Sequence, residues 1–230
     1  MSDTQESIYA GHLPAMQAVM DEMLARIEQY RTEMKAKYGD ADPVDHVLSR
    51  IKSEDSMREK CRRRNLPENA DSALHRLRDA IGIRIVCTFL RDVYTLRDFL
   101  EHFPDITVVE EKDYIRHAKP NGYRSFHLIV MMRGYYVEFQ IRTISMDTWA
   151  ALEHQMKYKK QVHGNQELIV SELKRCADEM ASTDISMQTI RDMIYGELPE
   201  DGAPISCRRD IPGMPHLSDR GTGRMNHSGH

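Results

Sequence analysis

An α/β domain of about five strands, preceded by one long helix and followed by further helices, is what the sequence predicts. Three observations carry that prediction. Five apolar or alternating segments of strand length lie between Val44 and Thr143, each bounded by turn residues. Residues 12–37 place apolar side chains at alternating steps of three and four, the signature of an amphipathic helix. From Pro199 onward the last 32 residues hold four Pro and five Gly with little apolar period, the composition of a disordered tail.

Leu13, Met16, Met20, Met23, Ile27, Tyr30 and Met34 mark the first helix, which Tyr38-Gly39 ends and Asp42-Pro43 separates from the first strand. That strand is "PVDHVLSRIKS". "SEDSMREKCRRRN" reads as a helix with Ser53 as its N-cap, and "ADSALHRLR" as a short second one. "AIGIRIVCTFL" is the strongest strand signal, with Ile81, Ile83, Ile85, Cys87 and Phe89 on one face. A helix over 92–103 (Val93, Leu96, Leu100, Phe103) closes at Pro104, and "DITVVEEK" supplies the third strand. After the loop "KPNGYRSFH", the segments "SFHLIVMM" and "YYVEFQIRT" flank Arg133-Gly134 as a tight hairpin. A helix with Trp149 and Leu152 occupies about 144–160. Two more, 166–181 and 184–197, are expected on either side of Ser182-Thr183-Asp184. The chain thus divides into an N-terminal helix (1–43), a central domain (44–160), C-terminal helices (161–198) and a tail (199–230).

Composition narrows the function. The chain has 230 residues, 40% hydrophobic and 30% charged, with a net charge of −4, so it is not built to coat nucleic acid. No apolar run is long enough to span a membrane, and "MSDTQESIYAGHL" lacks the apolar core of a signal peptide. Cys61, Cys87, Cys176 and Cys207 lie far apart with no CxxC pair, which suggests neither a zinc site nor a disulfide framework. Reduced thiols in the cytoplasm are the expectation.

Several polar residues cluster by pattern. In "YYVEFQIRT", Val137, Phe139 and Ile141 face one way while Tyr136, Glu138, Gln140 and Arg142 face the other. A solvated sheet face explains this as readily as a site. Asp79 begins the neighbouring apolar strand; if the two strands pair, Asp79 and Glu138 can share a divalent cation. Mg²⁺ takes one or two carboxylates plus phosphate oxygens, although a salt bridge from Asp79 to an arginine is the commoner arrangement. Arg50 and Lys52 share a strand face, and Ser56 and Lys60 lie four apart on the next helix. They deliver cations toward a helix N-terminus, where free N–H groups favour phosphate. No GxxxxGK[ST] occurs, which excludes a P-loop. In the loop, Asn121-Gly122 makes a turn, and Lys119, Arg124 and His127 surround Tyr123. A purine stacked on Tyr123 and a tyrosine packed on the core stand equally open on the residues alone.

Taken together, "RIKSEDSMREK", "RDAIGIRIV", "KPNGYRSFH", "EFQIRT" and "WAALEHQMKYK" resemble, in order, the synthetase domain of the RelA/SpoT superfamily, from about Val44 to Lys160. The terminal helices resemble those of its small, single-domain alarmone synthetases. The resemblance implies a mixed five-stranded sheet related to nucleotidyltransferases. It also implies transfer of the β,γ-pyrophosphate of ATP to the 3′-hydroxyl of GDP or GTP, making (p)ppGpp in the stringent response. It places Arg50 and Arg84 around the adenine and Lys52, Ser56 and Lys60 on the ATP phosphates. Asp79 and Glu138 bind Mg²⁺, Glu138 takes the hydroxyl proton, and Gln140 supports the site. Tyr123 stacks on the acceptor guanine, with Lys112, Lys119, Arg124 and His127 along its phosphates.

Asp147 stands where relatives often carry an Asn that reads the guanine edge; the resemblance still implies that it binds the acceptor, since an Asp accepts from guanine N1–H and the exocyclic amine, and Phe126 replaces an aliphatic residue. No "HD" dipeptide of the superfamily's hydrolase domain occurs, so synthesis without hydrolysis is expected. Leu168, Leu173, Met180, Ile185, Ile190, Met193 and Ile194, with the N-terminal stripe, exceed what the central domain needs. The resemblance therefore implies a homotetramer formed through the terminal helices. Regulation by alarmone or by single-stranded RNA is left open. Two other classes compete: a nucleotidyltransferase, whose Gly-Ser and paired Asp are missing, and a non-enzymatic nucleotide or RNA sensor, which has no need of both Asp79 and Glu138.

Overall fold

The computed structural model describes residues 7–39, 41–158 and 166–196. The expected tail from Pro199, Cys207, and the segment between residues 158 and 166 lie outside these. A five-stranded mixed sheet organises the chain, in the order β1 (Val44–Ile51), β2 (Ile81–Cys87), β5 (Tyr135–Thr143), β4 (Phe126–Met132), β3 (Thr107–Asp113). Only β2 and β5 run parallel; the other three pairs are antiparallel. The β4–β5 hairpin turns on Arg133 and Gly134 with φ of 50° and 82°, the left-handed pair that a two-residue turn requires. Glu110, Glu111 and Lys112 on the edge strand β3 discourage pairing with another chain.

Alternation on the strands sends Ile81, Ile83, Ile85, Leu128, Val130, Val137, Phe139 and Ile141 to one buried face. Helix α1 (Leu13–Tyr38) and α3 (Leu90–Glu101) cover that face. Helix α1 contributes Met16, Val19, Met20, Met23, Ile27 and Tyr30; α3 contributes Val93, Leu96 and Leu100. Gly39 at φ 67° ends α1, as its sequence position predicts. Helix α2 (Glu54–Arg63) begins on Ser53, whose Oγ accepts from the Ser56 amide at 3.4 Å. Its first turn is acidic and its last basic, matching the helix dipole. No described helix is long and apolar enough to cross a membrane.

One expectation is refined and three are corrected. The short helix after α2 is a single π-helical turn, Ser72–Arg76, closed by the Leu77 amide donating to the Ser72 carbonyl. Phe89 does not extend the apolar face of β2; it precedes α3, and its amide donates to Asp92. The two helices expected over 166–181 and 184–197 are one, α5 (Gln166–Tyr195). The polar triplet fails to break it because its groups are accommodated without leaving the helix. Thr183 Oγ1 donates to the Glu179 carbonyl, Ser186 donates to the Ser182 carbonyl, and Asp184 accepts from Thr143 Oγ1 at 2.6 Å. Finally, the apolar stripe of α1 lies in the chain's own core and is not left over for assembly.

Candidate active site

The face of the sheet opposite α1 and α3 carries two adjacent rows of side chains. Strand register fixes the first as Leu48, Arg84, Gln140, His127 and Lys112. The second runs Arg50, Gly82, Glu138, Ile129 and Glu110. Residues distant in sequence therefore meet by pairing alone. Over the β1–β2–β5 part of these rows lies a cavity of ≈ 470 Å³, lined among others by Arg50, Lys52, Asp79, Arg84, Glu138 and Gln140. Gly82 forms part of its floor, where the absence of a side chain keeps the space between Arg50 and Glu138 open.

Asp79 sits just before β2, largely buried. Its Oδ2 binds the ammonium groups of Lys52 and Lys60, the latter at 2.6 Å. Burial raises its carboxyl pKa, but hydrogen bonds and charge from the two lysines outweigh burial and hold it below the ordinary aspartate value. Its Oδ1 is buried with no partner. Glu138 behaves similarly. Burial and the Asp79 charge raise its pKa, while His127 and Gln140 bring it below the usual value. Both carboxylates are thus ionised at neutral pH. Among the described residues no group of three or more His, Cys, Asp or Glu gathers around one point. An orphaned Asp79 oxygen and an ionised Glu138 on the same cavity fit a hard divalent cation that takes its remaining ligands from phosphate and water.

On the other side of Glu138 stand the loop residues. Tyr123 Oη is 2.9 Å from His127 Nε2 and accepts from Arg142 Nη2 at 2.8 Å. His127 Nδ1 is 3.5 Å from Glu138 Oε1; Gln140 donates to Glu138 Oε2 at 3.4 Å and accepts from Arg142 at 3.3 Å. Tyr123, His127, Glu138, Gln140 and Arg142 therefore close a ring of polar contacts. The Lys119 ammonium lies 4.5 Å from the Tyr114 ring and 4.8 Å from the Tyr123 ring. Asn121-Gly122 makes the predicted turn, with Gly122 at φ 93° and its amide donating to the Lys119 carbonyl at 2.8 Å.

Most of the sequence-predicted residues converge here, with exceptions. Arg124 does not reach the cavity. It is 5% exposed, donating to the Ile115 carbonyl at 2.8 Å and to Asp178 of α5 at 2.9 Å. The reason is alternation: Tyr123 takes the site side of the chain, and Arg124 the helix side. Asp147, in the first turn of α4 (Ile144–Tyr158), is held by Arg142 at 3.0 Å and lies 3.7 Å from Arg84. Its Oδ1 thus serves both arginines, while its Oδ2 lies 4.0 Å from His46 Nε2. Lys112 reaches the end of the first row but pairs with Glu110 at 2.7 Å. Ser56 is exposed in the first turn of α2, accepting from Ser53 Oγ at 2.8 Å.

Three contributors escape the sequence reading. Arg142, 4% exposed, is the hub joining Tyr123, Gln140 and Asp147; the alternation of "YYVEFQIRT" puts it on the correct face, and only its hub role is hidden. Buried Tyr9 donates to the Lys52 carbonyl at 2.6 Å, and Ser7 donates to Glu54 of α2 at 2.6 Å. The segment before α1 thus braces the turn that carries Lys52. No local pattern announces a contact over 43 residues. Asp178 is the third, tied to the loop through Arg124.

Comparison with known proteins gives this geometry a relationship. Residues 49–163 match the family model described as a region found in RelA / SpoT proteins. GTP pyrophosphokinase YjbM of Bacillus subtilis is 33% identical over 206 residues, covering 86% of this chain and 92% of that protein. GTP pyrophosphokinase YwaC of the same organism is 42% identical over 126 residues, covering 51% of this chain and 60% of that protein. The crystal structure of the small alarmone synthetase 1 from Bacillus subtilis bound to its product pppGpp superimposes with a TM-score of 0.66 at 29% identity, covering 80% of this chain and 96% of the other. The matched residues take in Arg50, Arg84 and Glu138 on the sheet, the Lys52–Lys60 segment and the Tyr123 loop, and the chain belongs to the RelA/SpoT family.

Proposed function

We propose that the chain is a GTP pyrophosphokinase that moves the β,γ-pyrophosphate of ATP to the 3′-hydroxyl of GDP or GTP. The observation that carries this reading is the meeting of Asp79 and Glu138, both ionised, with Arg50, Arg84, Lys52 and Lys60 around one cavity. Arg50 and Arg84 flank the adenine from neighbouring strands. Lys52 from the turn before α2, Ser56 from its first turn and Lys60 from its last take the phosphates, the two ammonium groups exchanging Asp79 for phosphate oxygens. Asp79 and Glu138 would hold Mg²⁺, which would neutralise phosphate charge when bound. Tyr123 stacks on the acceptor guanine, with Lys119, His127 and Lys112 along its phosphates. Glu138 accepts the 3′-hydroxyl proton; the 3′-oxygen bonds to the β-phosphorus as the α,β-bridge bond breaks, releasing AMP. Positioning and charge neutralisation dominate such transfers.

The test is incubation with ATP and GDP or GTP, with Mg²⁺ present or chelated. Equimolar AMP and a 3′-pyrophosphorylated guanosine nucleotide, absent without Mg²⁺, are expected. A nucleotidyltransferase would release pyrophosphate, and a sensor would turn over neither substrate. Glu138→Gln keeps the shape and removes the base and charge, so a rate loss on the order of 10² to 10³ is expected. A near-unchanged rate would remove Glu138 from the mechanism.

Assembly into a homotetramer belongs to the same proposal. Helix α5 leaves Leu168, Met187, Ile190, Met193 and Ile194 exposed. An apolar stripe of this kind favours a closed symmetric oligomer over a monomer.

A further inference from the structure

The loop that carries Tyr123 rests on α5, and that contact sets a role for the helix within the reaction. Gly122, at φ 93°, approaches so closely that a Cβ built on it would lie 2.6 Å from Ala177 Cβ and 3.0 Å from Lys174 Cα. Arg124, one residue past Tyr123, crosses from the loop to Asp178 at 2.9 Å while its other terminal nitrogen donates to the Ile115 carbonyl at 2.8 Å. Trp149 of α4 donates to the Leu173 carbonyl at 2.9 Å, fixing α5 at the same height. Asn121 donates to Glu153 of α4 at 3.1 Å. Tyr123 is thus bracketed by residues 121, 122 and 124, all anchored to helices outside the sheet.

We infer that α5 positions the acceptor: Asp178 through Arg124, and Ala177 through Gly122, hold the loop so that Tyr123 stands against His127 and Arg142, next to Glu138. This inference rests on the reading of Tyr123 as the acceptor-base platform. The physical argument is one of reach. The loop's own backbone bonds, such as Gly122 to Lys119, close it only upon itself and do not lock Tyr123 at the His127–Glu138 end of the sheet. The guanidinium of Arg124 is buried, and its Nε already has no partner. Removing Asp178 leaves that charge half-satisfied and drives the loop off its seat. The donor residues Arg50, Lys52, Asp79 and Arg84 lie on or beside β1 and β2 and make none of these contacts. A displaced loop therefore weakens the acceptor and leaves ATP alone. Asp178 and Ala177 are positioning residues; neither touches the rows of the site.

The experiment measures KM for GDP and for ATP separately in Asp178→Ala, Gly122→Ala, the double variant Gly122→Ala/Ala177→Gly, and Tyr123→Ala, with the unfolding midpoint of each. Misplacement by about 1 Å can cost on the order of 10²-fold in rate. The expected result is a rise of about tenfold or more in the GDP KM for Asp178→Ala and Gly122→Ala, with the ATP KM within about twofold of the parent. Ala177→Gly should recover part of the Gly122→Ala loss, since it removes the nearest clashing atom. Equal movement of both KM values, or of neither, in a folded Asp178→Ala protein overturns the inference. Tyr123→Ala separates the two levels. If it raises the GDP KM while Asp178→Ala does not, the seat is merely structural and the acceptor reading stands. If it raises only the ATP KM, the acceptor reading falls and the inference falls with it.

Discussion

Helices α1 and α5 have similar apolar stripes in sequence and bury opposite kinds of side chain. Helix α1 turns Met16, Met23, Ile27 and Tyr30 into the core and leaves its charges outside. Helix α5 buries Ala177, Ala181, Asp184, Gln188, Arg191 and Asp192, and exposes Met187, Ile190, Met193 and Ile194. Helix α1 is thus held chiefly by the hydrophobic effect, with ion pairs such as Arg26–Asp105 and Arg31–Asp42 at its margins. Helix α5 is held by a chain of polar pairs. Arg191 donates to Asp92 at 2.7 Å, the Arg91 amide donates to Gln188 at 2.8 Å, and Thr143 donates to Asp184 at 2.6 Å. One helix completes the core. The other is docked on a finished domain, and its apolar face is free for another surface.

Among truncations to alanine, the largest effect expected from this difference comes from Arg191→Ala. Arg191 is buried with Asp92 and packs against the rings of Phe89 and Tyr38, with its charge 4.8 Å and 5.4 Å from their centroids. Its removal strands the Asp92 carboxylate, which costs about 3–5 kcal/mol for a broken buried pair. Denaturant unfolding measures this. A loss below about 1 kcal/mol would mean that α5 is held otherwise. Ile27→Ala in α1 should cost about 2–5 kcal/mol through the cavity it leaves. The two differ in kind: Arg191→Met, which keeps bulk but not charge, should fail to rescue unless Asp92 is also replaced, whereas Ile27→Leu or Ile27→Val should recover most of the α1 loss.

The same contrast explains what the sequence discloses. Strands, α1 and the polar residues that gather around the cavity are legible because their signals are local. Period two places Glu138 and Gln140 on one face, and the spacing of Ser56 and Lys60 follows the helical turn. Arg124 misleads because adjacency to Tyr123 does not say which side of the backbone a residue takes. The charge partners of Asp147, Arg142 and Arg84, are likewise known only once α4 is placed. The continuity of α5 is illegible because Thr143, which satisfies Asp184, is 41 residues away. Polar docking carries no period, so a pattern of apolar residues predicts the wrong face to be buried.

Asp184 offers a smaller test of polar docking, through pH. Burial raises its carboxyl pKa, and hydrogen bonds from Thr143 and Ser145 only partly oppose this. A raised folded value means that the unfolded chain releases this proton first. Stability from this group is therefore full below the ordinary aspartate value and falls as pH rises through the raised one. Asp184→Asn keeps an acceptor for Thr143 and removes the ionisation. The variant should match the parent at acid pH and exceed it near neutrality, in a series of unfolding curves. Asp79 has the opposite sign. Burial raises it, but Lys52 and Lys60 hold it below the ordinary value, so its contribution is present above that value and is lost as pH falls through the lowered one. A neutral-pH loss of stability in Asp184→Asn would show that the carboxylate is used as an anion.

The smallest effect on the protomer, and the most direct on assembly, is expected from Ile194→Glu. Ile194 is 73% exposed near the end of α5, in line with Met187 and Ile190 on the outer face. A residue so placed makes few contacts within its own chain, and surface substitutions of this kind change stability by about 0.5 kcal/mol or less. The matching change in α1, Met23→Glu, puts a charge into a fully buried site and should prevent folding. If the outer face of α5 joins copies of the chain, symmetry-related carboxylates would be brought together at each such contact without counter-ions. Association should then weaken at unchanged protomer stability. Light scattering after gel filtration reads the mass, and thermal unfolding at low protein concentration reads the protomer. An unaltered mass for Ile194→Glu would move the assembly surface elsewhere. A parent protein that is already monomeric at micromolar concentration would remove the homotetramer altogether, leaving α5 as the seat of the Tyr123 loop alone.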